Sequence, residues 1–249
     1  MISISTRRTN KMFLSLLITF GCFAGGVLTN SLITPCKVSD LACVDKSVKG
    51  ISPIVIAGIP ELGVESSDPI FVEEIDGNLS IIKYKFFNTT VTGFKNCAIS
   101  NFKLNADITA IHYDLNCPKI HMKGIYEVSG RLVVLPVEGK GDFELTTGKY
   151  SIHVDSELKK VQGNDGKTHL SIKNFKLKSR ALSPIKYDFK NLFNGQKDLS
   201  DAVHKFAHEN WLEVSELVQE PTWNTCMKKV TSNVNKYLKN VAVEDIILQ

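Results

Sequence analysis

Cysteine is sparse, at six in 249 residues, which excludes a densely bridged scaffold as the source of stability. Net charge is small: 30 Lys and Arg stand against 26 Asp and Glu. The two signs are interspersed, so the clustered basic face that phosphate binding requires is missing and nucleic acid is not an expected partner. Long apolar runs are also lacking beyond the first thirty residues, which excludes a bundle of membrane-crossing helices. The G-x-S-x-G nucleophile elbow, the H-E-x-x-H zinc motif and a glycine-rich phosphate loop followed by a helix are all absent. Glu138-Gly139-Lys140-Gly141 lies between strand-like runs, and His208-Glu209 lacks its second histidine. These absences argue against an enzyme, and nothing in the sequence calls for a cofactor or a metal.

The start of the chain carries Arg7, Arg8 and Lys11 ahead of an apolar run from Met12 to about Phe23, followed by small residues. That pattern predicts a secretory signal peptide over residues 1–30, too short to anchor, cleaved between Ala24 and Ser31. Its removal takes away three basic residues and no acidic ones, leaving a charge near +1. The remaining chain, residues 31–249, shows no repeat and no linker and is expected to form one domain, soluble and monomeric, with no stable membrane insertion. Asn78-Leu79-Ser80 and Asn88-Thr89-Thr90 are glycosylation sequons at Asn78 and Asn88, consistent with the secretory route.

Five cysteines follow the leader. Cys36 and Cys43 are close enough in sequence that a bridge would clamp the N-terminus of the domain; zinc is disfavoured for want of paired short spacings and histidines. Cys97 and Cys117 occupy the apolar phase of neighbouring strands. A hairpin folded about Ile108-Thr109 sets Cys117 opposite Ser100, so a bridge to Cys97 requires a bulge or a slip of register; otherwise both are small buried hydrophobes. Cys226 is left over.

Leu41, Val44, Val48 and Ile51 fall at helical spacing within 40–56 and predict a short amphipathic helix ending near Pro53. From Ile70 to about residue 190 the period is two. Ile82, Tyr84 and Phe86 alternate with lysines, Ile120, Met122, Gly124, Tyr126 and Val128 with polar residues, and Tyr150, Ile152 and Val154 do likewise. Gly163-Asn164-Asp165-Gly166 reads as a hairpin turn. A change of phase at Asn174 predicts a bulge, and bulged, bent strands make a sheet curl. Apolar residues from Leu199 through Val203, Phe206, Trp211 and Val214 to Val241 then form a helical stripe over 198–240. Its expected length is roughly 60 Å, with a kink or a short break near Glu220 imposed by Pro221. The economical fold is α+β: a highly curved antiparallel sheet wrapped around a long C-terminal helix.

His204 and His208 stand four apart and could face one ion or act as a pH switch, although two surface histidines beside Lys205 and Glu209 account for them as well. Trp211, Trp223, Phe206, Tyr126 and Phe143 are large enough to wall a ligand tunnel, and each is equally at home in core packing.

Four segments taken together carry a resemblance: PCKVSDLACVDKSV, GIPELGVESSDPIFVEEI, GIYEVSGRLVVLPVEGKGDFEL and NLFNGQKDLSDAVHKFAHENW. In order and spacing they resemble the takeout and juvenile-hormone-binding family of insect secreted proteins, from Cys36 to about Leu238. The resemblance implies a tubular lipid-binding fold with an apolar tunnel, and a secreted carrier of a small lipophilic ligand such as a juvenile-hormone-like isoprenoid or a fatty acid. It also implies a disulfide between Cys36 and Cys43. Pro221 and the additional Cys97, Cys117 and Cys226 depart from the family pattern. Tunnel-lining candidates are Tyr113, Tyr126, Leu135 and Phe143 on the sheet and Val203, Phe206 and Trp211 on the helix. A secreted signalling protein acting through its surface is the alternative, and would show a filled interior.

Overall fold

A computed structural model describes residues 33–248, so the leader and Cys22 lie outside the described residues. A short strand β1 (Cys36–Lys37) precedes helix α1 (Leu41–Ala57). The Asp40 carboxylate accepts the Cys43 N–H at 3.0 Å, capping the helix start. Val44, Ser47, Ile51 and Val55 are its buried stripe. The helix does not end at Pro53. Buried Ile51 and Val55 on either side of the proline hold the backbone helical, and termination waits for Gly58, whose φ of 95° suits glycine.

Nine longer strands follow: β2 (Ile70–Asn78), β3 (Ile82–Thr92), β4 (Ala98–Leu104), β5 (Ala110–Cys117), β6 (His121–Leu132), β7 (Leu135–Thr146), β8 (Tyr150–Gln162), β9 (Thr168–Ala181) and β10 (Lys186–Phe189). Helices α2 (Lys197–Glu209), α3 (Trp211–Leu238) and α4 (Val243–Ile246) and the short β11 (Ile247–Leu248) complete the chain. The strands pair antiparallel in two groups, in the orders β10-β7-β6-β3-β2 and β4-β5-β8-β9. β1 pairs in parallel with β11, tying the Cys36 region to the C-terminus.

Register shifts supply the curvature. One lies in β3 between Phe87 and Thr90, one in β4 between Ser100 and Lys103, and one between β8 and β9. Asn88 and Asn101 take positive φ at the first two, a conformation that asparagine tolerates. In the third, Glu157 pairs with Asn174 but Leu158 pairs with Ile172, so the extra residue is Lys173, next to the predicted phase change. The Gly163–Gly166 turn closes that hairpin.

A helix covers each outer strand of the two groups: α2 packs on β10, α3 on both β2 and β9, and α1 on β4. Edge strands carry unpaired backbone groups, and covering them stabilises the sheet and blocks edge-to-edge association. The curved antiparallel sheet and long C-terminal helix thus form the expected α+β architecture.

The C-terminal stripe is two helices, and its break is at Asn210, not near Glu220. Asn210 adopts φ −112° and ψ 33°; its backbone and side-chain N–H groups both donate to Phe206 O at 2.9 Å, closing α2, and its carbonyl accepts the Val214 N–H to begin α3. Pro221 lies inside α3 without dividing it. Tyr84 donates to the Val218 carbonyl at 2.6 Å just before the proline, and Trp223, Cys226 and Met227 are buried just after it. Tertiary contacts on both sides carry the helix through. At 28 residues α3 is about 42 Å long.

Candidate functional site: two apolar chambers along one helix

Two apolar chambers line α3. The first, about 110 Å³, lies between the β10-β7-β6-β3-β2 sheet, α2 and the N-terminal half of α3; Tyr84, Phe86, Tyr150, Tyr187 and Trp223 line it. The second, about 250 Å³, lies among α1, the β4-β5-β8-β9 sheet and the C-terminal half of α3, with Ile51, Tyr113, Ile172, Met227 and Tyr237 in its wall. One water needs roughly 10–15 Å³ on this measure, so both spaces hold a chain of several heavy atoms.

Trp223 belongs to the first chamber and Phe94 to the second, and their rings meet edge-to-face with centroids 6.3 Å apart. Tyr150 also packs on Trp223, with centroids 4.8 Å apart. These three rings form a septum.

Among the tunnel candidates, Val203 lines the first chamber and Tyr113 the second. Tyr126 and Phe143 stand behind the first chamber's wall: Tyr126 donates to Lys190 O at 2.6 Å and meets Phe189 edge-on, and Phe143 stacks on Phe86 at 4.3 Å. Leu135, Phe206 and Trp211 are half-buried and line neither chamber. Alternation separates inward from outward side chains but does not say which inward ones meet a gap. Tyr84 and Tyr150 were legible only as inward phases, Tyr187 was not singled out by any pattern, and the contribution of α1 to the second chamber carried no sequence signal.

The phenols are weak acids here. Burial pushes Tyr84, Tyr113 and Tyr237 up to about 12 and raises Tyr150 and Tyr187, so all present a protonated hydroxyl. Among the described residues no Lys, Arg, Asp or Glu lines the first chamber. His204 does line it, but Nδ1 donates to Ser200 O at 2.9 Å and Nε2 accepts the Phe189 N–H at 3.0 Å, fixing the neutral tautomer and satisfying the β10 edge. His208 is exposed, whereas both ring nitrogens of His204 are bonded within the protein. Among the described residues no group of three or more His, Cys, Asp or Glu could hold a metal.

Two disulfides are present, Cys36–Cys43 and Cys97–Cys117. The second forms because the slip in β4 pairs Ala98 with Asn116, which brings Cys97 beside Cys117. Cys226 is free and buried, and burial pushes its thiol up to about 12. Outside the chambers, Asp114 is held below the usual carboxylate range by Asn101, then by His153 and His112. Asn101 is the extra residue of the β4 slip, so this contact pins the register.

A curved sheet closed around a helix, with apolar space inside, defines a protein built to enclose apolar matter. The family model described as haemolymph juvenile hormone binding protein matches residues 14–248, and the chain belongs to that family. It is 25% identical over 225 residues to the circadian clock-controlled protein daywake of Drosophila melanogaster, covering 84% of this chain and 85% of that one. Over 79 residues, 30% of this chain and 34% of the relative, it is 28% identical to a juvenile hormone-binding protein of Manduca sexta. The crystal structure of Epiphyas postvittana Takeout 1 superposes with a TM-score of 0.81 at 27% identity, covering 87% of this chain and all of the other.

Proposed function

We propose that the protein is a secreted, non-enzymatic carrier that sequesters a small lipophilic ligand in its interior chambers. The pair of apolar chambers along α3 is the observation that carries this. Moving an apolar ligand from water into such a space gains about 25 cal/mol per Å², so burying about 250 Å² gains roughly 6 kcal/mol before the cost of association. The family membership and the Manduca relative support an isoprenoid among the ligands to test.

Residues 1–30 act as a cleaved leader and 31–249 as one monomeric domain that needs no cofactor. Among the described residues no helix is long and apolar enough to cross a membrane. Asn78 and Asn88 are both exposed, as glycan acceptors must be. Mass spectrometry of small molecules extracted from the protein purified from its native fluid should find a lipophilic compound. A fluorescent fatty acid or a juvenile-hormone analogue should bind and be displaced. Protein that carries nothing and binds neither probe would overturn the proposal.

A further inference from the structure

The polar groups of the first chamber are mostly engaged within the protein. Tyr84 donates to Val218 O, Tyr150 to Gln219 Oε1, Ser215 to Leu212 O and Thr147 to Gly148 O, and both His204 nitrogens are bonded. Tyr187 is different: its hydroxyl is buried and has no partner. The residue lines the chamber on the same face of β10 as Phe189, which packs on Phe86 and Phe143 inside the sheet. Tyr150, which lines the same chamber, lies close enough to influence its ionisation.

A buried phenol left unpaired forfeits the bonds it would make in water, and a folded protein carries such a group at a cost. An acceptor delivered by a ligand would remove that cost. The same walls offer a carboxylate no counter-charge: among the described residues no Lys or Arg faces the chamber and His204 has no free nitrogen, so the one bond from Tyr187 would not offset the desolvation of an anion. The second chamber differs, with Lys95 in its wall.

We propose that the first chamber selects a neutral ligand bearing a hydrogen-bond-accepting oxygen of carbonyl or ether type, and that Tyr187 is the specificity-determining donor to it. This rests on the carrier function proposed above and adds the chemical class of ligand and the residue that reads it.

The test uses three probes of similar length, methyl octanoate, octanoate and octane, each displacing a fluorescent apolar reporter at pH 7.5. Wild-type protein should bind the ester at least about tenfold more tightly than either of the others, a difference of about 1.4 kcal/mol. Tyr187→Phe should lose that preference for the ester and keep its affinity for octane. It should also melt at the same or a higher temperature, because it gives up no intramolecular bond, whereas a merely structural tyrosine would lower the melt. Tyr237→Phe, which removes the comparable unpartnered hydroxyl of the second chamber, should leave the ester preference intact.

Octane binding without discrimination for the ester in the wild type, an unchanged preference in Tyr187→Phe, or octanoate binding as tightly as the ester would each overturn the inference alone. Loss of the preference in Tyr237→Phe in place of Tyr187→Phe would overturn the assignment to this residue. Failure of all three probes to bind would overturn the carrier function as well.

Discussion

Asn235 on α3 pairs with both backbone groups of Ile172 on β9: Nδ2 donates to Ile172 O at 3.0 Å, and Oδ1 accepts the Ile172 N–H at 2.7 Å. A side-chain amide has the same donor and acceptor arrangement as a peptide, so Asn235 acts as a one-residue strand on the open edge of β9. The bond fixes the helix lengthwise against the sheet and holds Met227, Val230 and Tyr237 in the wall of the second chamber.

Asn235→Leu removes both bonds and leaves two backbone groups facing apolar atoms. The expected loss is about 2 kcal/mol of unfolding free energy, read from urea denaturation. Asn235→Asp keeps the acceptor and should fall between the variant and the wild type.

His169 is buried, donating Nδ1–H to Val241 O at 2.9 Å, and its Nε2 lies 3.0 Å from Asp165 Oδ1. Burial pushes the ring's pKa down, but the Asp165 carboxylate and the carbonyls of Val241 and Leu238 outweigh it, and the net shift is upward from 6.5. A base with a raised folded pKa stabilises fully below its unfolded value and loses that contribution as pH rises through the folded value. Asp165 is lowered from 3.8, chiefly by His169, so its share is present above 3.8 and lost on acidification. The difference in melting temperature between wild type and His169→Gln should be widest near about pH 5.5 and shrink by about pH 8. A gap that grows with pH would contradict the doubly bonded imidazolium.

The two disulfides close loops of different length, with sequence separations of 7 and 20. Loop-closure entropy assigns roughly 2.4 kcal/mol to the first and roughly 3.3 to the second, so Cys97→Ala/Cys117→Ala should be the more damaging pair in guanidinium titrations. Native protein should show no thiol reactive to Ellman's reagent at pH 8, since Cys226 is buried and its pKa is raised. Unfolding without reductant should expose one thiol in a chain cleaved near residue 30, and a second, Cys22, in an uncleaved one.

Trp223→Ala removes the centre of the septum from a site that is 5% exposed. A loss of about 3–5 kcal/mol is expected by denaturation. The joined chambers should also favour longer chains, so the affinity ratio of hexadecyl to octyl acetate should rise over wild type in displacement assays. An unchanged ratio would mean that neighbouring side chains close the gap.

Much of the fold is visible in the sequence because it rests on short-range rules. Ile82-Tyr84-Phe86 and Tyr150-Ile152-Val154 alternate, and they are buried strand faces. Gly163-Asn164-Asp165-Gly166 has turn composition, and it is a turn. The predicted end at Pro53 and a predicted break at Pro221 failed for one shared reason: the intrinsic cost of a helical proline is a few kcal/mol, about 3, and packing on both sides exceeds it. Asn210 had no such mark, and the chain breaks there because α2 and α3 pack against different parts of the sheet.

The candidate site was less legible. A period of two or 3.6 assigns a side chain to the interior, and Tyr126, Phe143, Tyr113 and Val203 are alike on that criterion. Whether an interior ring fills space or borders it depends on residues far away in sequence, as Tyr126 shows by spending its hydroxyl on Lys190 O. The Cys97–Cys117 bridge was conditional on a slip that only Asn101, with its positive φ, provides.

The sequence by itself determined the two periods, the Gly163–Gly166 turn and the family, because each is written in residues near one another or in motifs of fixed order. Tertiary structure decided where the long helix breaks, which cysteines meet, how a septum of Trp223, Phe94 and Tyr150 divides the interior, and which tyrosine is left without a partner. Those outcomes are set by packing and hydrogen bonding between different elements, from the 20 residues that separate Cys97 and Cys117 to the 129 between Phe94 and Trp223, and no local pattern encodes them.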